Sequence, residues 1–433
     1  MKSAKLIIDK KRRAEALGSA EIREFINGFV SGQIPDYQMS ALAMAICCRG
    51  MTDRETADLT DVMMKSGRVL DWGDLVTADK HSTGGVGDKL SLIIQPLVAA
   101  CAVAVPSLTG RALGLTGGTA DKLETIPGYN ASLSIEEFSR VVRDVGVSMT
   151  VQTDEITPAD RKLYALRDVT GTVASIPLIV ASILSKKLAE GAASLVFDVK
   201  CGSGAFMKTR EEASLLARRL VDGAKAAGRN AAALVTDMST PLGRAVGNAN
   251  ETAEAIEILK GSSDPLYADE RALSIEFASL MVSLSKNVDL DEARDLCTKK
   301  LNDGSAFAKF NEMVEAHGGS LERFEDLLAK PVFRFKIQAV RSGYVSAIDA
   351  NIVASAVFEL GAGRKKQGDK IDPLAGVKLD VKRGDRVTVG ASLATLEKSG
   401  SPDGLEAAAA CLFKAFTITT QPPEIGPIIF ERV

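Results

Sequence analysis

The sequence predicts an α/β protein whose chain starts in a block of helices and ends in a β-rich part. Apolar residues at positions 1–67 recur only at helical spacing, which indicates helices without strands. Residues from about 70 to 155 alternate short apolar runs with helical patterns, as α/β folds do. Residues 333–433 contain short alternating segments and many glycine turns, which are typical of strands. A chain of 433 residues has room for two or three such domains.

The composition is that of an ordinary globular enzyme, and it argues against several kinds of partner. The formal net charge of −3 gives no electrostatic reason to expect binding to nucleic acid or to an anionic membrane. No apolar run reaches 18 residues, and the first residues lack the pattern of a signal peptide. The six cysteines show no C-x-x-C spacing, which argues against disulfides and structural zinc and predicts a reducing cytoplasm. Two histidines are too few for a histidine-rich metal site.

The segment DKHSTGGVGDK at residues 79–89 places a histidine between a lysine and a hydroxyl at a glycine-rich turn. The pattern predicts a short strand at residues 75–78 before the turn and a helix after it. Such an arrangement cradles an anion, because backbone N–H groups and the positive end of the helix dipole point at the same spot. The polar side chains that it offers to an anion are Lys80, Ser82 and Ser91.

A second hydroxyl-rich glycine turn, TGRALGLTGGTADKLE, occupies residues 109–124 and follows a predicted strand at residues 102–106. Two turns that follow neighbouring strands can face one shared oxyanion. Neither turn matches G-x-x-x-x-G-K-[ST] or G-x-G-x-x-G, which disfavours an NTPase or a dinucleotide enzyme. Together the two turns predict an anion site with a lysine and a histidine at its edge.

Two helices beyond the second turn carry further candidate site residues. Thr157, as the N-cap, starts the first of them, which is expected to end near Arg167. The next helix places Ser182 and Lys186 four residues apart and hence on one face. A lysine on a mostly apolar helix either extends to water or holds its charge in a site, whereas Lys187 is predicted to be an ordinary solvated lysine.

Five groups of motifs occur in a fixed order along the chain. They are KHSTGGVGD at 80–88, the GR, GGT and DKLE of the second turn, YALRDVT at 164–170, Ser182 with the lysine pair 186–187, and DVK at 198–200 with GSGAFM at 202–207. In this order the motifs resemble the thymidine phosphorylase and pyrimidine-nucleoside phosphorylase family. The resemblance runs along the whole chain, and the order makes it far more specific than any single motif.

The resemblance implies a fold of the α/β class: a helical domain plus a larger α/β domain with a central mixed sheet and a β-rich, hammerhead-like C-terminal part. The helical domain would comprise residues 1–67 and 157–190. The phosphate-binding α/β domain would comprise residues 68–156 and 191–330, and the C-terminal subdomain residues 333–433. The resemblance places the active site in the cleft between the first two domains, and it implies a homodimer formed through the helical domain.

The implied reaction is a reversible phosphorolysis, in which a pyrimidine (deoxy)nucleoside and phosphate give the free base and (deoxy)ribose 1-phosphate. We expect a cytoplasmic pentosyltransferase of nucleoside salvage with thymidine as its substrate. A broad enzyme that also uses uridine is the alternative. Phosphate is itself the nucleophile and positioning does most of the work, so inorganic phosphate is the co-substrate and no cofactor is expected to be required.

The matching positions carry expected roles at the two ends of the substrates. The phosphate would be held by Lys80, Ser82, Gly84, Ser91, Thr109 and Thr119. The base would be held by His81, Leu113, Tyr164, Arg167, Ile179, Ser182, Lys186 and Phe206. As the catalytic residues, His81 would hydrogen-bond or protonate the base oxygen, while Arg167 and Lys186 would neutralise the charge that grows on the leaving base.

Several positions depart from the pattern of the family. Thr109 stands where serine is usual, Ala112 where glycine is usual, and Leu115 where histidine is usual. The loss of the histidine bears on substrate preference and activity. Some members bind a monovalent cation with a threonine or serine where this chain has Lys89, and we expect the Lys89 ammonium to take that place near Glu254.

Two other classes of function stay open at this point. An anthranilate-type phosphoribosyltransferase is similar in fold but needs a diphosphate and a magnesium site, for which the sequence shows no paired acidic residues. A non-catalytic nucleoside or phosphate binder, degenerate at Leu115, is the other alternative. Phosphate-dependent release of base separates the three, because the transferase requires a phosphoribosyl diphosphate and the binder releases nothing.

Overall fold

Helices and their short connections make up residues 3–67, as the apolar spacing of this block predicts. The structure is a computed structural model, and it describes residues 3–111, 115, 117–364 and 369–433. The helices of the first block are α1 Ala4–Arg12, α2 Ser19–Val30, α3 Asp36–Arg49 and α4 Asp53–Met64. Thr52 caps the start of α4, because its Oγ1 accepts a hydrogen bond from Glu55 N (3.2 Å) while its own N–H donates to Glu55 Oε2 (2.8 Å).

Two later helices complete this helical layer, namely α8 Pro158–Thr170 and α9 Ile176–Ala189. Leu163 of α8 and Ala181 of α9 share one buried cluster with side chains of the first block. Those side chains include Phe25, Phe29 and Leu42. Segments distant in sequence therefore build one helical core.

Helix α8 starts where it was predicted, but its N-cap residue has an unusual conformation. Thr157 lies at the N-cap position in the left-handed region (φ 46°, ψ 51°), and its side chain makes no capping hydrogen bond. Its Oγ1 instead accepts a hydrogen bond from Gln152 Nε2. The chain turns sharply here as it passes from sheet to helix, so the Thr157 hydroxyl points back to the incoming segment. Thr157 is thus the N-cap residue, as predicted, without a side-chain cap, and α8 ends at Thr170, beyond the end expected near Arg167.

The central sheet is mixed, with the strand order β1-β4-β5-β13. Its strands are β1 Ala78–Ser82, β4 Ser194–Cys201, β5 Asn230–Asp237 and β13 Ile429–Arg432. The first three run parallel, whereas β13 pairs antiparallel with β5. A parallel pair, β2 Val105–Thr109 and β3 Val147–Val151, lies beside β1 and is joined to it by a bridge between Thr77 and Ala104.

Two of these strands lie further along the chain than predicted. The strand expected at residues 75–78 begins only at Ala78. Leu75 and Val76 are exposed and the buried Thr77 forms an isolated bridge with Ala104, whereas pairing with β4 continues to Ser82 opposite Asp198. The strand expected at residues 102–106 spans Val105–Thr109. The Lys-His-Ser motif and Thr109 thus lie on strands rather than in the loops that follow them.

Helices cover the two faces of the central sheet. Val196 of β4 shares a buried cluster with Phe277, whereas the next residue, Phe197, shares another with Leu216. Successive side chains of a strand point to opposite faces, so these clusters lie on opposite sides of the sheet. The helices of this region are α5 Leu90–Ala100, α6 Thr119–Leu123, α7 Ile135–Val145, α10 Arg210–Ala226, α11 Ala249–Leu259, α12 Ala268–Lys286, α13 Leu290–Asn302, α14 Ser305–Ala316 and α15 Leu321–Leu328.

The C-terminal part is β-rich, as predicted, and strand pairing joins it to the rest of the chain. Its elements are β7 Phe333–Gln338, β8 Gly343–Ile348, α16 Ala350–Val357, β9 Gly376–Leu379, β10 Arg386–Val387, β11 Ser392–Lys398, α17 Leu405–Phe413 and β12 Phe416–Thr419. They form the antiparallel sheets β10-β8-β12 and β6-β9-β11-β7, and the latter includes β6 Ala245–Gly247 from the α/β region. Since β6 enters this part and β13 returns to the central sheet, hydrogen bonds cross the limit expected at residue 333 in both directions.

Candidate active site

A cavity of about 810 Å³ lies between the helical layer and the ends of β1 and β2. The expected phosphate residues that line it are Lys80, Ser82, Gly84, Ser91, Thr109 and Thr119. The expected base residues that line it are His81, Tyr164, Arg167, Ile179, Ser182, Lys186 and Phe206. Leu113, the remaining expected base residue, lies outside the described residues, as does Ala112. Segments that are distant in the sequence thus meet around one space.

The first glycine turn holds its own hydroxyl and carboxylate in place. Ser82 Oγ donates to Asp88 Oδ2 (2.6 Å) and accepts from Gly84 N (3.2 Å). Gly84 has φ +89°, a left-handed conformation that favours glycine. Helix α5 begins directly after the turn, so Ser91 faces the cavity from its first turn. The predicted cradle of turn, hydroxyls and helix start is thus assembled at one end of the cavity.

Two buried lysines share one carboxylate at this end of the cavity. Lys80 Nζ and Lys200 Nζ lie 3.2 Å and 2.7 Å from the same oxygen of Asp198, and all three side chains are fully buried. Asp198 Oδ1 also accepts a hydrogen bond from Thr236 Oγ1 (2.7 Å). Burial opposes the charge of Asp88, but Lys80, Lys200 and Lys122 outweigh it and hold the pKa of that carboxyl well below its ordinary value.

The lysine at position 200 was not assigned a role by sequence reasoning, although a signal was available. Asp198 and Lys200 are two residues apart in a strand whose eight residues are all buried, so both charges project from one face of β4. Opposite charges on one face of a fully buried strand neutralise each other, so Lys200 pairs with Asp198. Lys80 then brings a second positive charge to the same carboxylate.

Arg167 is held rigidly at the opposite end of the cavity. Its guanidinium donates to the carbonyl oxygens of Thr172 (3.1 Å), Val173 (2.7 Å) and Leu178 (3.1 Å). An arginine has five N–H donors, so these three bonds leave capacity for a ligand. Burial lowers the pKa of Arg167 below its ordinary value, but a guanidinium keeps its proton in proteins, so the side chain stays charged.

Lys186 lies beside Arg167 and faces the same space. Its Nζ donates to Asp160 Oδ2 (2.5 Å) and to Ser182 Oγ (2.9 Å), and it lies 5.5 Å from the centre of the Tyr164 ring. The predicted i, i+4 relation of Ser182 and Lys186 is thus a direct hydrogen bond. Burial lowers the pKa of Lys186, and Asp160 opposes that shift. Burial also raises the pKa of Tyr164 to about 12, which keeps the phenol neutral.

His81 sits between the two ends of the cavity as a neutral ring. Burial lowers the pKa of His81 well below its ordinary value, and the charges of Lys187, Lys186 and Lys80 lower it further. A neutral imidazole retains one N–H donor. Of the two roles expected for His81, hydrogen bonding to the base oxygen therefore fits the charges around it better than protonation does.

Lys187 was predicted to be a solvated lysine, and this prediction was wrong. Its side chain is fully buried, and its Nζ contacts Asp79 Oδ2, Glu190 Oε2 (2.9 Å) and the carbonyl oxygen of Leu108 (3.0 Å). Burial and Asp79 together raise the pKa of Glu190 well above its ordinary value. The apolar neighbours of Lys187 on α9 did not indicate that it is buried in an ion pair, because its acidic partners come from β1 and from the end of α9 itself.

Lys89 is buried among acidic groups behind the first glycine turn. Its Nζ lies 3.1 Å from Glu254 Oε1, 2.8 Å from Glu270 Oε1 and 3.3 Å from the carbonyl oxygen of Leu242. Burial opposes the charges, but Lys89 and backbone N–H groups lower the pKa of Glu254 to about 2. Burial and Glu254 raise the pKa of Glu270 well above its ordinary value, and the charge of Lys89 opposes that shift.

The second histidine has a different environment from His81. His317 hydrogen-bonds through Nε2 to Ser148 Oγ (2.9 Å) and through Nδ1 to the carbonyl oxygen of Asn130 (2.8 Å). Its ring stacks on Tyr129 with centroids 4.5 Å apart. These contacts make His317 a packing residue between the β3 region and α14. Leu115, where the family usually has histidine, packs partly buried against the large core cluster.

Among the residues that the structure describes, no helix is long and apolar enough to cross a membrane. Within those same residues no group of three or more His, Cys, Asp or Glu side chains has the arrangement of a metal site.

Comparison with known protein families gives the class of the protein. Residues 74–307 match the model described as "Glycosyl transferase family, a/b domain", and residues 5–67 match "Glycosyl transferase family, helical bundle domain". Residues 344–419 match "Pyrimidine nucleoside phosphorylase C-terminal domain". The first helical block, the α/β region together with α8 and α9, and the β-rich part thus each correspond to a matched segment.

Individual relatives show to which family within this class the chain belongs. The chain is 46% identical over 398 residues to pyrimidine-nucleoside phosphorylase of Staphylococcus haemolyticus, covering 91% of each chain. It is 43% identical over 432 residues to pyrimidine-nucleoside phosphorylase of Geobacillus stearothermophilus, covering 99% of each chain. The chain belongs to the pyrimidine-nucleoside phosphorylase family, as its motifs predict.

A solved structure shares the fold at a greater distance. Anthranilate phosphoribosyltransferase from Thermus thermophilus superposes with a TM-score of 0.58 at 20% identity, covering 72% of this chain and 98% of its own. At that level of identity the likeness concerns the fold alone.

Proposed function

We propose that this chain catalyses the reversible phosphorolysis of pyrimidine nucleosides to a free base and (deoxy)ribose 1-phosphate. One observation carries the proposal: a lysine-lined glycine cradle and an arginine–lysine pair face each other across one cavity of about 810 Å³. That space accommodates a nucleoside with an anion beside its sugar. The relatives at 43% and 46% identity carry the name of this activity.

The two ends of the cavity have complementary tasks in such a reaction. Phosphate, held by Lys80 and the hydroxyls of both turns, attacks the anomeric carbon of the sugar. The glycosidic C–N bond breaks, and its electron pair moves onto the pyrimidine ring. Arg167 and Lys186 then face the negative charge where it develops, which lowers the barrier more than it strengthens ground-state binding. His81 donates its N–H to a base oxygen.

The test is release of free base by the purified chain with and without phosphate. A panel of thymidine, deoxyuridine, uridine and cytidine, with a purine nucleoside as control, measures the class and the preference together. The proposal requires phosphate-dependent release from at least one pyrimidine nucleoside and none from the purine. Thymidine as the preferred substrate stays a prediction within this class, and uridine turnover at a similar rate would favour the broader enzyme.

Inorganic phosphate is proposed as the sole co-substrate, with no further cofactor. The geometry of Lys89 supports this part of the proposal, since an ammonium already lies between Glu254, Glu270 and a backbone carbonyl oxygen. Such an oxygen-rich site is what a monovalent cation would otherwise need. The Lys89 ammonium takes the place of that cation.

The chain is further proposed to work as a homodimer in the cytoplasm, joined through the helical layer. Large apolar side chains are exposed on three helices of that layer, which supports this surface as the interface. They are Leu6 on α1, Tyr37 and Met44 on α3, and Val169 on α8.

A further inference from the structure

Asp160, on the first turn of α8, lies at the base end of the cavity and has no role so far. We propose that Asp160 is the positioning residue for Lys186: its carboxylate fixes the ammonium against the base and balances one of the two cations there. This inference rests on the proposed function, because it concerns how Lys186 meets the leaving base.

The contacts of Asp160 point to Lys186 and not to the structure of its own helix. Asp160 Oδ2 accepts a hydrogen bond from Lys186 Nζ at 2.5 Å. The other oxygen, Oδ1, is buried and has no hydrogen-bond partner among the described residues, although Asp160 lines the cavity. A buried carboxylate costs free energy unless it is paired. Since Lys186 is the partner of this carboxylate at the cavity wall, we infer that the function of the carboxylate is to hold Lys186.

The same contact sets the direction of the ammonium. Lys186 Nζ has three N–H donors, of which Asp160 takes one and Ser182 Oγ takes a second at 2.9 Å. Two fixed bonds leave the third N–H for the cavity. Since Ser182 Oγ accepts from Lys186, the Ser182 hydroxyl keeps its own proton to donate. Asp160 thus orders two donors of the base end through one contact.

The charges around Lys186 show why the carboxylate is needed. Arg167 and Tyr164 face the ammonium from α8, Lys187 follows it on α9, and His81 faces it from β1. Within this group Asp160 supplies the negative charge. With Asp160 ionised, Arg167, Lys186 and Asp160 sum to one positive charge, which matches the single negative charge on the departing pyrimidine.

The first experiment compares Asp160→Asn with the unsubstituted chain across the pH range. Asparagine keeps the shape and removes the charge, so Lys186 should lose its proton at a pH lower by about one to three units. We expect the alkaline limb of kcat to move down by that amount, with a loss of about 10- to 100-fold at pH 8.5 and a smaller loss at pH 6. Asp160→Glu should restore most of the alkaline limb.

Asp144→Asn is the matched control, since Asp144 is exposed on α7. It should leave both kcat and the pH profile unchanged. An equal fall of kcat at every pH in Asp160→Asn would indicate a merely structural role and would overturn the inference.

A double-mutant cycle covers the case in which Asp160→Asn folds poorly. In Lys186→Met the partner of Asp160 is gone, so adding Asp160→Asn should cost less than about twofold further in kcat. It should also raise stability, because it removes an unpaired buried charge. Losses of kcat that simply multiply would contradict the proposal.

Direct titration separates this inference from the proposed function. The ¹³Cε resonance of Lys186 in lysine-labelled protein, assigned by its absence in Lys186→Arg, reports the pKa without any turnover. A downward shift in Asp160→Asn supports the inference even if no nucleoside is cleaved. An unchanged Lys186 titration overturns it even if phosphorolysis is observed.

Discussion

Neighbouring lysines on α9 have opposite tasks because successive helical residues point about 100° apart. Lys186 faces the cavity and bonds to Asp160, whereas Lys187 faces the sheet and bonds to Asp79. The two histidines form a similar contrast, with His81 at the cavity and His317 in the core. At this scale the residue type does not distinguish a residue of the candidate site from a structural residue. The groups that the side chain contacts distinguish them.

Replacing each histidine in turn tests that contrast. His81→Ala should lower turnover by about two to four orders of magnitude while the free energy of unfolding stays nearly unchanged, because its N–H serves the base. His317→Ala should lower the free energy of unfolding by about 1–3 kcal/mol, since Ser148 and Asn130 lose a buried partner, with turnover per folded molecule unchanged. Steady-state kinetics measures the turnover of both variants, and urea unfolding measures their free energy of unfolding. Near-normal turnover of His81→Ala would remove it from the base site.

The same histidines predict how stability depends on pH. Burial lowers the pKa of both His81 and His317 in the folded state, so the folded chain binds protons more weakly than the unfolded chain, whose histidines bind them below about pH 6.5. The free energy of unfolding should therefore fall as pH drops from 6.5 to 5.5, by up to about 1.4 kcal/mol per pH unit for each histidine. Urea unfolding at these pH values measures the slope, and a double His81→Asn/His317→Asn variant should flatten it. A slope of opposite sign would exclude neutral buried histidines.

At the scale of elements, buried ion pairs hold the site elements to one another. Lys187 ties α9 to β1 and β2, and Lys89 ties the start of α5 to Glu254 of α11 and Glu270 of α12. Each lysine has two acidic neighbours, so removing it leaves a buried charge without a partner. These contacts fix the distance between the glycine cradles and the helix that carries Lys186.

Lys187→Met tests the tie between α9 and the sheet. The substitution keeps the length of the side chain but leaves the Asp79 carboxylate unpaired, so the free energy of unfolding should fall by about 3–5 kcal/mol. Lys225→Met, on the exposed face of α10, should change it by less than about 0.5 kcal/mol. Adding Asp79→Asn to Lys187→Met should restore part of the loss. Equal stability of the two lysine variants would show that Lys187 is not an anchor.

Removal of potassium tests the role proposed for Lys89. Because an ammonium already lies among the acidic groups, turnover in potassium-free and sodium-free buffer should equal turnover with potassium added. Lys89→Thr, which frees that space, should lose activity in cation-free buffer and regain part of it when potassium is added. Activity of the unsubstituted chain that vanished without potassium would contradict the proposal.

At the scale of the whole molecule, the chain crosses between its parts several times. Helices α8 and α9 return to the first helical block, β6 pairs in the C-terminal sheet, and β13 returns to the central sheet. The cavity is lined from both the helical layer and the α/β region. Relative movement of those two layers would therefore change the distance between the phosphate end and the base end.

The proposed dimer is tested through the exposed apolar side chains of the helical layer. Tyr37 and Val169 are 73% and 79% exposed, so glutamate at both positions should not disturb the core but should oppose association. Light scattering coupled to gel filtration should report a dimer for the unsubstituted chain and a monomer for Tyr37→Glu/Val169→Glu. The control is Val340→Glu/Val389→Glu, at exposed valines of the C-terminal part, which should stay dimeric. A monomeric unsubstituted chain would exclude the dimer.

Much of the fold was predictable because it depends on local patterns. Helical spacing of the apolar residues predicted the helices of the first block, and short alternating segments predicted the β-rich part after residue 333. The strand that carries His81 was misplaced by three residues, because Lys80 and His81 look like loop residues. They enter the strand through pairing with β4, which local propensity does not contain.

The sequence by itself determined the order of the motifs, the α/β class, the family and many of the residues that line the cavity. Only the tertiary structure decided which charges oppose one another: Asp160 with Lys186, Asp79 with Lys187, and Asp198 with two lysines. The reason is physical. The periodicity that predicts helices and strands depends on residues close in the sequence. The pKa and pairing of a buried charge depend instead on partners from distant segments and on the loss of water around them.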